Sequence, residues 1–161
     1  MKSLIIYYSL EGNTKFIAEN IAKEINSDIL ELKVKKEYPK NGFKKFFWGG
    51  KDVLFNKKPE LFELDVDLNK YDYLFIGTPI WAGTYAPPFN TFISEYNIEN
   101  KKIALFACHG GGGAEKFYVN FKNKLPQNDY IGEFDFVDPL KGDTNEHISK
   151  IKEWLTNLNI K

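Results

Sequence analysis

A short polar segment after the first apolar run contains residue types suited to binding an anion. Residues 9–14 read Ser-Leu-Glu-Gly-Asn-Thr, and a helical pattern begins near Asn13 or Thr14. Hydroxyl and amide side chains, a glycine that admits close backbone approach and the unpaired N–H groups of a helix start can together hold a phosphate. The same residues would also make an ordinary capped helix start, because Asn and Thr favour N-caps and Gly favours turns.

This segment offers a phosphate no cation of its own. The chain contains no arginine, so any anion must be held by lysine, hydroxyls or backbone N–H groups. A helix N-terminus supplies roughly half a positive charge, and each hydrogen bond to a charged acceptor contributes about 1.5–3 kcal/mol. Because a carboxylate repels phosphate, we expect Glu11 to present its backbone N–H to the anion and to turn its side chain to solvent.

A second segment, residues 77–88, reads Gly-Thr-Pro-Ile-Trp-Ala-Gly-Thr-Tyr-Ala-Pro-Pro and is expected to be the loop after the third strand. Pro79 stiffens the exit from the strand, while Ala82 and Gly83 are small enough to let a flat ligand reach the backbone. Trp81, which lies between Pro79 and Gly83, is suited to stacking on an aromatic ring. The alternative is a tryptophan that folds back onto the core.

A third segment, residues 108–116, places four consecutive glycines after Cys108 and His109. Such a run is costly to order, and it fits a backbone that must pass close to something planar. Neighbouring side chains at a strand end project to opposite sides, which argues against a catalytic Cys/His pair. We expect Cys108 to be buried, and His109 to lie beside a ligand or to be exposed in the loop. No metal site is expected, because no second histidine clusters with His109.

Strand and helix patterns alternate along the chain and would bring these segments together. Five apolar or β-branched runs predict strands at residues 2–8, 28–34, 72–77, 102–107 and 131–137. Helical spacings lie between them and after the last, which predicts a parallel sheet covered on both faces. Ligands of such sheets bind beyond the carboxyl ends of the strands, so the loops after the first, third and fourth strands should converge.

Composition and length favour one domain over residues 1–161. The charges of the 22 basic and 22 acidic residues cancel, so the composition does not indicate a nucleic-acid binder. The first apolar run is too short for a signal peptide, and no run is long enough to span a membrane, so no membrane partner is expected. With one cysteine and no disulfide framework, a cytoplasmic location is the simplest interpretation.

Taken together, the three segments resemble the flavodoxin family. The first resembles the family's phosphate-binding loop, which Ser9, Gly12 and Thr14 match and from which Glu11 departs. The resemblance implies a doubly wound five-stranded parallel sheet in the order 2-1-3-4-5, with flavin mononucleotide (FMN) as cofactor. It implies no metal and no catalytic residue of the chain's own. The residues that it implies in cofactor binding are Ser9, Leu10, Glu11, Gly12, Asn13, Thr14, Thr78, Pro79, Ile80, Trp81, Ala82, Gly83, Thr84, Cys108, His109, Gly110 and Gly111.

The resemblance leaves three functional classes open. The leading one is an electron-transfer flavoprotein that exchanges electrons with a redox partner protein or with a small donor or acceptor. The alternative is a small FMN-dependent NAD(P)H or quinone oxidoreductase, since residues 110–113 would leave one flavin face open. A flavin-free regulatory domain is disfavoured, because it needs an acidic cluster where this chain has Ser9, Leu10 and Glu11. The loop at 108–113 lacks an aromatic ring, and the chain lacks the strong acidity common in the family. Both departures would make the reduced anionic form of the flavin easier to form.

A lysine-rich segment spans residues 35–58. It carries eight lysines against Glu37 and Asp52, together with several aromatic residues that could start a helix interrupted at Gly49 and Gly50. One hypothesis is a solvated helix whose rings face the core. The other is a docking face for an acidic partner or an anionic substrate.

Overall fold

Strands and helices alternate along the chain, as their apolar spacing predicts. The structure is a computed structural model that describes residues 2–40, 42–158 and 160, with the side chains of residues 43 and 46 outside the description. The strands are β1 (Ser3–Tyr7), β2 (Asp28–Glu31), β3 (Tyr73–Trp81), β4 (Thr84–Tyr85), β5 (Lys102–His109) and β6 (Asp129–Val137). The α-helices are α1 (Asn13–Ile25), α2 (Gly42–Leu54), α3 (Pro88–Glu95), α4 (Glu115–Lys124) and α5 (Thr144–Asn157). None of the helices in the described ranges is long and apolar enough to cross a membrane.

One sheet runs through the molecule in the order β2-β1-β3-β5-β6, with these five strands parallel to one another. This is the predicted 2-1-3-4-5 order, and the fold class is confirmed. The two-residue strand β4 is a sixth strand that the sequence analysis did not predict, and it pairs with β3 in the antiparallel direction.

The third strand is longer than the sequence pattern predicts. Pairing of β3 with β5 continues to the Pro79–Cys108 register, and Ile80 and Trp81 then pair with Tyr85 and Thr84 of β4. Residues 79–81, expected in the loop beyond the strand, are therefore strand residues, and the polypeptide turns only at Ala82 and Gly83. At the other edge, β2 ends at Glu31 rather than at the predicted residue 34.

Side chains alternate between the two faces of the sheet, and each face has its own buried cluster. Helices α1 and α5 cover one face, where Ile5 and Phe75 pack with Ile17 and Trp154. On the other face α3 and α4 contribute the side chains of Phe89, Phe92, Phe117 and Phe121. The aromatic-rich composition thus goes largely into core packing.

Two glycines fit close contacts with aromatic rings. A Cβ atom at Gly77 in the centre of β3 would lie 2.0 Å from Cζ of Phe106, so only glycine fits there. At Gly49 a Cβ atom would lie 3.1 Å from Cε3 of Trp81. Helix α2 continues through Gly49 and Gly50 to Leu54, so the predicted interruption is wrong, and the Trp81 ring packs against Gly49.

Candidate functional site

A cavity of about 680 Å³ lies at the carboxyl ends of β1, β3 and β5, where the three predicted loops converge. Helix α2 and the segment after β6 complete its wall. Volumes of this size are typical of sites for small molecules and cofactors. The lining residues are Ser9, Leu10, Glu11, Asn13, Thr14, Lys45, Gly49, Gly50, Pro79, Ile80, Trp81, Ala82, Cys108, His109, Gly110, Asp138, Leu140 and Lys141.

The loop after β1 presents a helix start and a buried hydroxyl to this cavity. Gly12 caps α1 with a φ of 94°, a left-handed conformation that favours glycine, and its N–H donates to Oγ of Ser9 at 3.1 Å. Thr14 is 1% exposed, and its Oγ1 has no hydrogen-bond partner among the described residues. An unsatisfied buried hydroxyl costs about 1–3 kcal/mol. A ligand oxygen that bonds to Thr14 would remove this cost.

Asn13 connects the first loop to the segment that follows β6. Its side-chain Oδ1 accepts a 3.1 Å hydrogen bond from the backbone N–H of Leu140. The Leu140 side chain also lies against the first loop, since a Cβ atom at Gly12 would be 3.4 Å from it. The Asn13 amide oxygen thus holds two segments of the cavity wall together.

Helix α2 supplies the cation that the first loop lacks. Nζ of Lys45 lies 2.6 Å from Oε2 of Glu11, and Lys45 lines the cavity. The Glu11 side chain is exposed, as expected, and its carboxylate pairs with the ammonium group of Lys45 on α2. The ion pair offsets the repulsion that a bare carboxylate would exert on an anion in the first loop.

Trp81 forms the aromatic part of the wall. Its ring meets those of Tyr8 and Tyr38 edge-on, with centroids 5.6 and 4.9 Å away, and it also packs against Gly49. The Tyr38 hydroxyl in turn donates to Oδ2 of Asp52 at 2.9 Å. The indole is half-buried between Tyr8, Tyr38 and Gly49 of α2, and it still borders the cavity.

The turn beside Trp81 contains backbone strain. Ala82 has a φ of 47° and Gly83 a φ of 82°, and both values are positive, as a two-residue type I′ hairpin turn requires. A left-handed conformation costs a residue with a Cβ atom roughly 1–2 kcal/mol. Ala82 borders the cavity in this conformation.

Cys108 is buried at the end of β5, as predicted. It is 4% exposed, and burial raises the pKa of its thiol from 9.0 to about 12. The thiol is therefore protonated at neutral pH. Burial therefore disfavours a thiolate nucleophile at this position.

His109 is fixed through both ring nitrogens. The N–H of Gly111 donates to Nδ1 at 3.0 Å, so the ring proton lies on Nε2, which donates to Oδ2 of Asp135 at 2.8 Å. Its side chain is only 6% exposed, so the expectation of an exposed loop residue is wrong and the alternative, a position beside the ligand site, agrees with the cavity. His109 orients the start of the glycine loop.

Some residues of the predicted set do not line the cavity: Gly12, Thr78, Gly83, Thr84 and Gly111. The Thr78 hydroxyl is buried, accepts from the N–H of Ala86 at 3.0 Å and donates to the carbonyl of Pro79. Oγ1 of Thr84 accepts from Nδ2 of Asn120 at 3.1 Å. Both hydroxyls hold the β3–β4 hairpin in place.

Six lining residues lie outside the predicted set: Lys45, Gly49, Gly50, Asp138, Leu140 and Lys141. The last three follow β6, whose carboxyl end lies at the same sheet edge as those of β3 and β5. The rule that selected the other loops would have included this one. In that segment Lys141 pairs with Asp138 at 3.0 Å.

Comparison with known proteins identifies the family. A sequence model of the family described as flavodoxin matches residues 2–158. The chain belongs to the flavodoxin family. The resemblance inferred from the three loops is thereby confirmed.

Individual flavodoxin relatives cover most of this chain. The flavodoxin-like domain-containing protein BilS of Clostridioides difficile strain CD3 is 30% identical over 139 residues, which are 83% of this chain and 64% of BilS. The chain thus spans slightly less than two thirds of that relative. A flavoprotein from Lactobacillus acidophilus NCFM, crystallised in complex with FMN, is 29% identical, with coverage of 96% and 98% and a TM-score of 0.74. Flavodoxin 2 of Bacillus cereus, at 18% identity, coverage of 98% and 97% and a TM-score of 0.58, shares the fold.

Proposed function

We propose that this chain binds FMN in the cavity and transfers electrons as a flavodoxin. The observation that carries the proposal is the convergence of a helix start, a buried unpaired hydroxyl and an aromatic wall on one cavity of about 680 Å³. FMN is the molecule bound in the Lactobacillus flavoprotein. When bound, FMN takes up and releases one or two electrons.

The residues present fit such a cofactor in two parts. Thr14 and the backbone of the first loop suit the terminal phosphate, and Lys45 compensates the Glu11 carboxylate beside them. Trp81 and the hairpin turn suit the flavin ring, because an aromatic face and small side chains accommodate a planar group. Cys108 and Gly110 form another part of the wall.

The ionisable side chains of the cavity favour a carrier over an enzyme. Proton-transfer catalysis needs a group that is free to give or accept a proton at a reacting atom. Here Glu11 is paired with Lys45, Asp138 with Lys141, and both nitrogens of His109 are bonded. The remaining group, Cys108, holds its proton to high pH. Electron transfer requires none of these side chains to change protonation.

An FMN-dependent NAD(P)H or quinone oxidoreductase is the second candidate, and the glycine loop favours it. A Cβ atom at Gly111 or Gly112 would meet nothing within 4 Å, so the space beside this part of the loop is open. A planar substrate could reach a cofactor in the cavity from this side.

Three measurements test the proposal on purified protein. Titration with FMN should yield a one-to-one complex with flavin absorbance bands, and riboflavin should bind more weakly. FMN binding should quench Trp81 fluorescence, and Trp81→Ala should reduce both the quenching and the affinity. NADH and NADPH should not be oxidised at an appreciable rate without an added partner. Failure to bind FMN would refute the proposal, and rapid partner-free turnover of NADH, NADPH or a quinone would favour the oxidoreductase.

A further inference from the structure

An exposed line of lysine and large apolar side chains runs along α2. We call it the α2 stripe, and it consists of Lys44, Phe47, Trp48, Lys51, Leu54 and Phe55. Lys44 and Lys51 lie seven residues apart. The apolar pairs Phe47–Trp48 and Leu54–Phe55 are also seven residues apart and alternate with the lysines. Seven residues are almost two turns of helix, so these side chains share one face. Phe55 extends this face by one residue, since its N–H donates to the carbonyl of Lys51 at 3.0 Å.

The apolar members of the stripe are unusually exposed. Phe47 is 53%, Trp48 46%, Leu54 76% and Phe55 62% exposed. The hypothesis that the rings of this segment face the core is therefore wrong for Phe47 and Trp48, whereas the side chains of Phe43 and Phe46 lie outside the described residues. Phe47 and Trp48 contact each other edge-on at 5.9 Å, and Nζ of Lys51 lies 5.4 Å from the Trp48 ring centroid. Contiguous apolar patches above a few hundred Å² are uncommon on monomeric proteins and mark interaction sites.

The charge of the α2 stripe indicates the charge of the surface that would cover it. Within the described residues, Lys44, Lys51 and the exposed Lys58 beyond the helix form no ion pair with a carboxylate. The eight lysines of residues 35–58 outnumber their two acids by six. A second copy of this face would be repelled, whereas a carboxylate-bearing surface would be attracted.

The order of the side chains favours a protein over a membrane. Helices that lie in a membrane interface bury an apolar face and keep their charges on the opposite, polar face. Lys51 instead lies in the middle of the apolar line, three or four residues from Phe47, Trp48, Leu54 and Phe55. Burial of that line in lipid would bury the ammonium group. A protein surface with a carboxylate between apolar side chains matches it.

The opposite side of α2 faces the cavity, which it lines with Lys45, Gly49 and Gly50. An α-helix with its side chains is about 10–12 Å across, so a protein seated on the stripe would lie about one helix diameter from a bound cofactor. We propose that the α2 stripe is the docking surface for an acidic redox partner, a protein whose own surface alternates carboxylates with apolar side chains. This inference rests on the proposed electron-transfer function.

The test measures electron transfer from the reduced FMN-loaded protein to cytochrome b5, an acidic haem protein used as the probe. A small neutral benzoquinone, which needs no docking surface, serves as the reference acceptor. We compare Lys44→Glu/Lys51→Glu with Lys23→Glu/Lys70→Glu, a control with the same change in net charge on exposed lysines elsewhere. Lys45 is left unchanged because it lines the cavity and pairs with Glu11.

Reduction of cytochrome b5 should slow steeply as salt rises. At low salt the stripe variant should be slower by about tenfold or more with a flattened salt dependence, and the control should stay within about twofold of the parent. Leu54→Ser/Phe55→Ser should lower the rate at every salt concentration and keep the salt dependence. All variants should reduce the benzoquinone at the parent rate.

Three results would overturn the docking surface: equal slowing by the stripe and control variants, no slowing by the stripe variant, or no reduction of cytochrome b5 by a protein that reduces the quinone. Stripe-dependent sedimentation with phosphatidylserine vesicles would overturn it in favour of a membrane. Failure of every variant and of the parent to reduce the quinone would instead refute the electron-transfer function itself.

Discussion

Glu11 and Lys45 form a 2.6 Å ion pair that joins the loop after β1 to the cavity side of α2. The two residues are 34 positions apart, and their side chains are 46% and 22% exposed. Partial exposure screens such a pair, so we expect its effect on fold stability to be small. Its effect on an anion in the first loop is more direct, because it compensates the carboxylate that lies there.

Lys45→Met should therefore weaken FMN binding about tenfold, or about 1.4 kcal/mol, and leave riboflavin binding nearly unchanged. The reason is that an uncompensated Glu11 carboxylate would repel the phosphate. Adding Glu11→Gln should recover most of the loss. Calorimetric titration of the single and double variants checks this, with Lys44→Met as the control for an exposed neighbour. An equal loss for riboflavin, or no recovery in the double variant, would contradict the assignment.

Thr14→Val should have opposite effects on the cofactor-free and the FMN-bound protein. Without cofactor, removal of a buried unpaired hydroxyl should raise the free energy of unfolding by about 1 kcal/mol. With cofactor, loss of the bond to phosphate should weaken FMN binding by about tenfold, while riboflavin affinity stays the same. Urea denaturation and parallel titrations measure the two effects. Equal weakening of FMN and riboflavin would remove Thr14 from the phosphate site.

Gly77→Ala should lower the free energy of unfolding by about 1–3 kcal/mol, the usual cost of an overpacked core. A methyl group there would overlap the Phe106 ring, and neither central strand can move away easily. Gly50→Ala is the matched control. A Cβ atom at Gly50 meets nothing within 4 Å, and alanine is favoured in a helix by about 1 kcal/mol. If Gly77→Ala left the free energy of unfolding unchanged, the contact between residue 77 and the Phe106 ring would be less constrained than the structure indicates.

Cys108 should make the protein less stable at alkaline pH. Its thiol ionises near pH 9.0 when unfolded and near 12 when folded, so between these values the unfolded chain binds fewer protons and ionisation favours unfolding. The contribution of the protonated Cys108 thiol to the free energy of unfolding is complete below pH 9 and is lost as pH rises toward 12. Between pH 10 and 11 the parent should lose about 1.4 kcal/mol more per pH unit than Cys108→Ala. Chemical denaturation under reducing conditions measures the free energy of unfolding of the parent and of Cys108→Ala at each pH. If the two free energies fell in parallel as pH rose, the prediction would be contradicted.

Much of the architecture was accessible from the sequence because local patterns determine it. Strand runs and helical spacings are properties of neighbouring residues, and the carboxyl ends of parallel strands must meet at one edge. These two facts are enough to bring Ser9, Trp81 and His109 to one cavity. The resemblance of the loops then indicated the family.

The parts that were missed depend on contacts between distant segments. Nothing near Glu11 in the sequence indicates Lys45, and nothing near Asn13 indicates Leu140, 127 residues away. Gly49 looks like a helix breaker until Trp81 is seen against it. Phe47 and Trp48 of α2 looked like core residues because apolar spacing alone does not show whether a partner element covers that face.

The hydrogen bond between Asn13 and Leu140 also bears on the order in which the molecule matures during synthesis. A nascent chain that has emerged from the ribosome only as far as β5 already contains the loop at residues 9–14 and the hairpin at Trp81. It still lacks residues 138–141, which complete the cavity wall and satisfy the Asn13 side chain. The cavity wall can therefore close only after β6 and the segment that follows it have emerged.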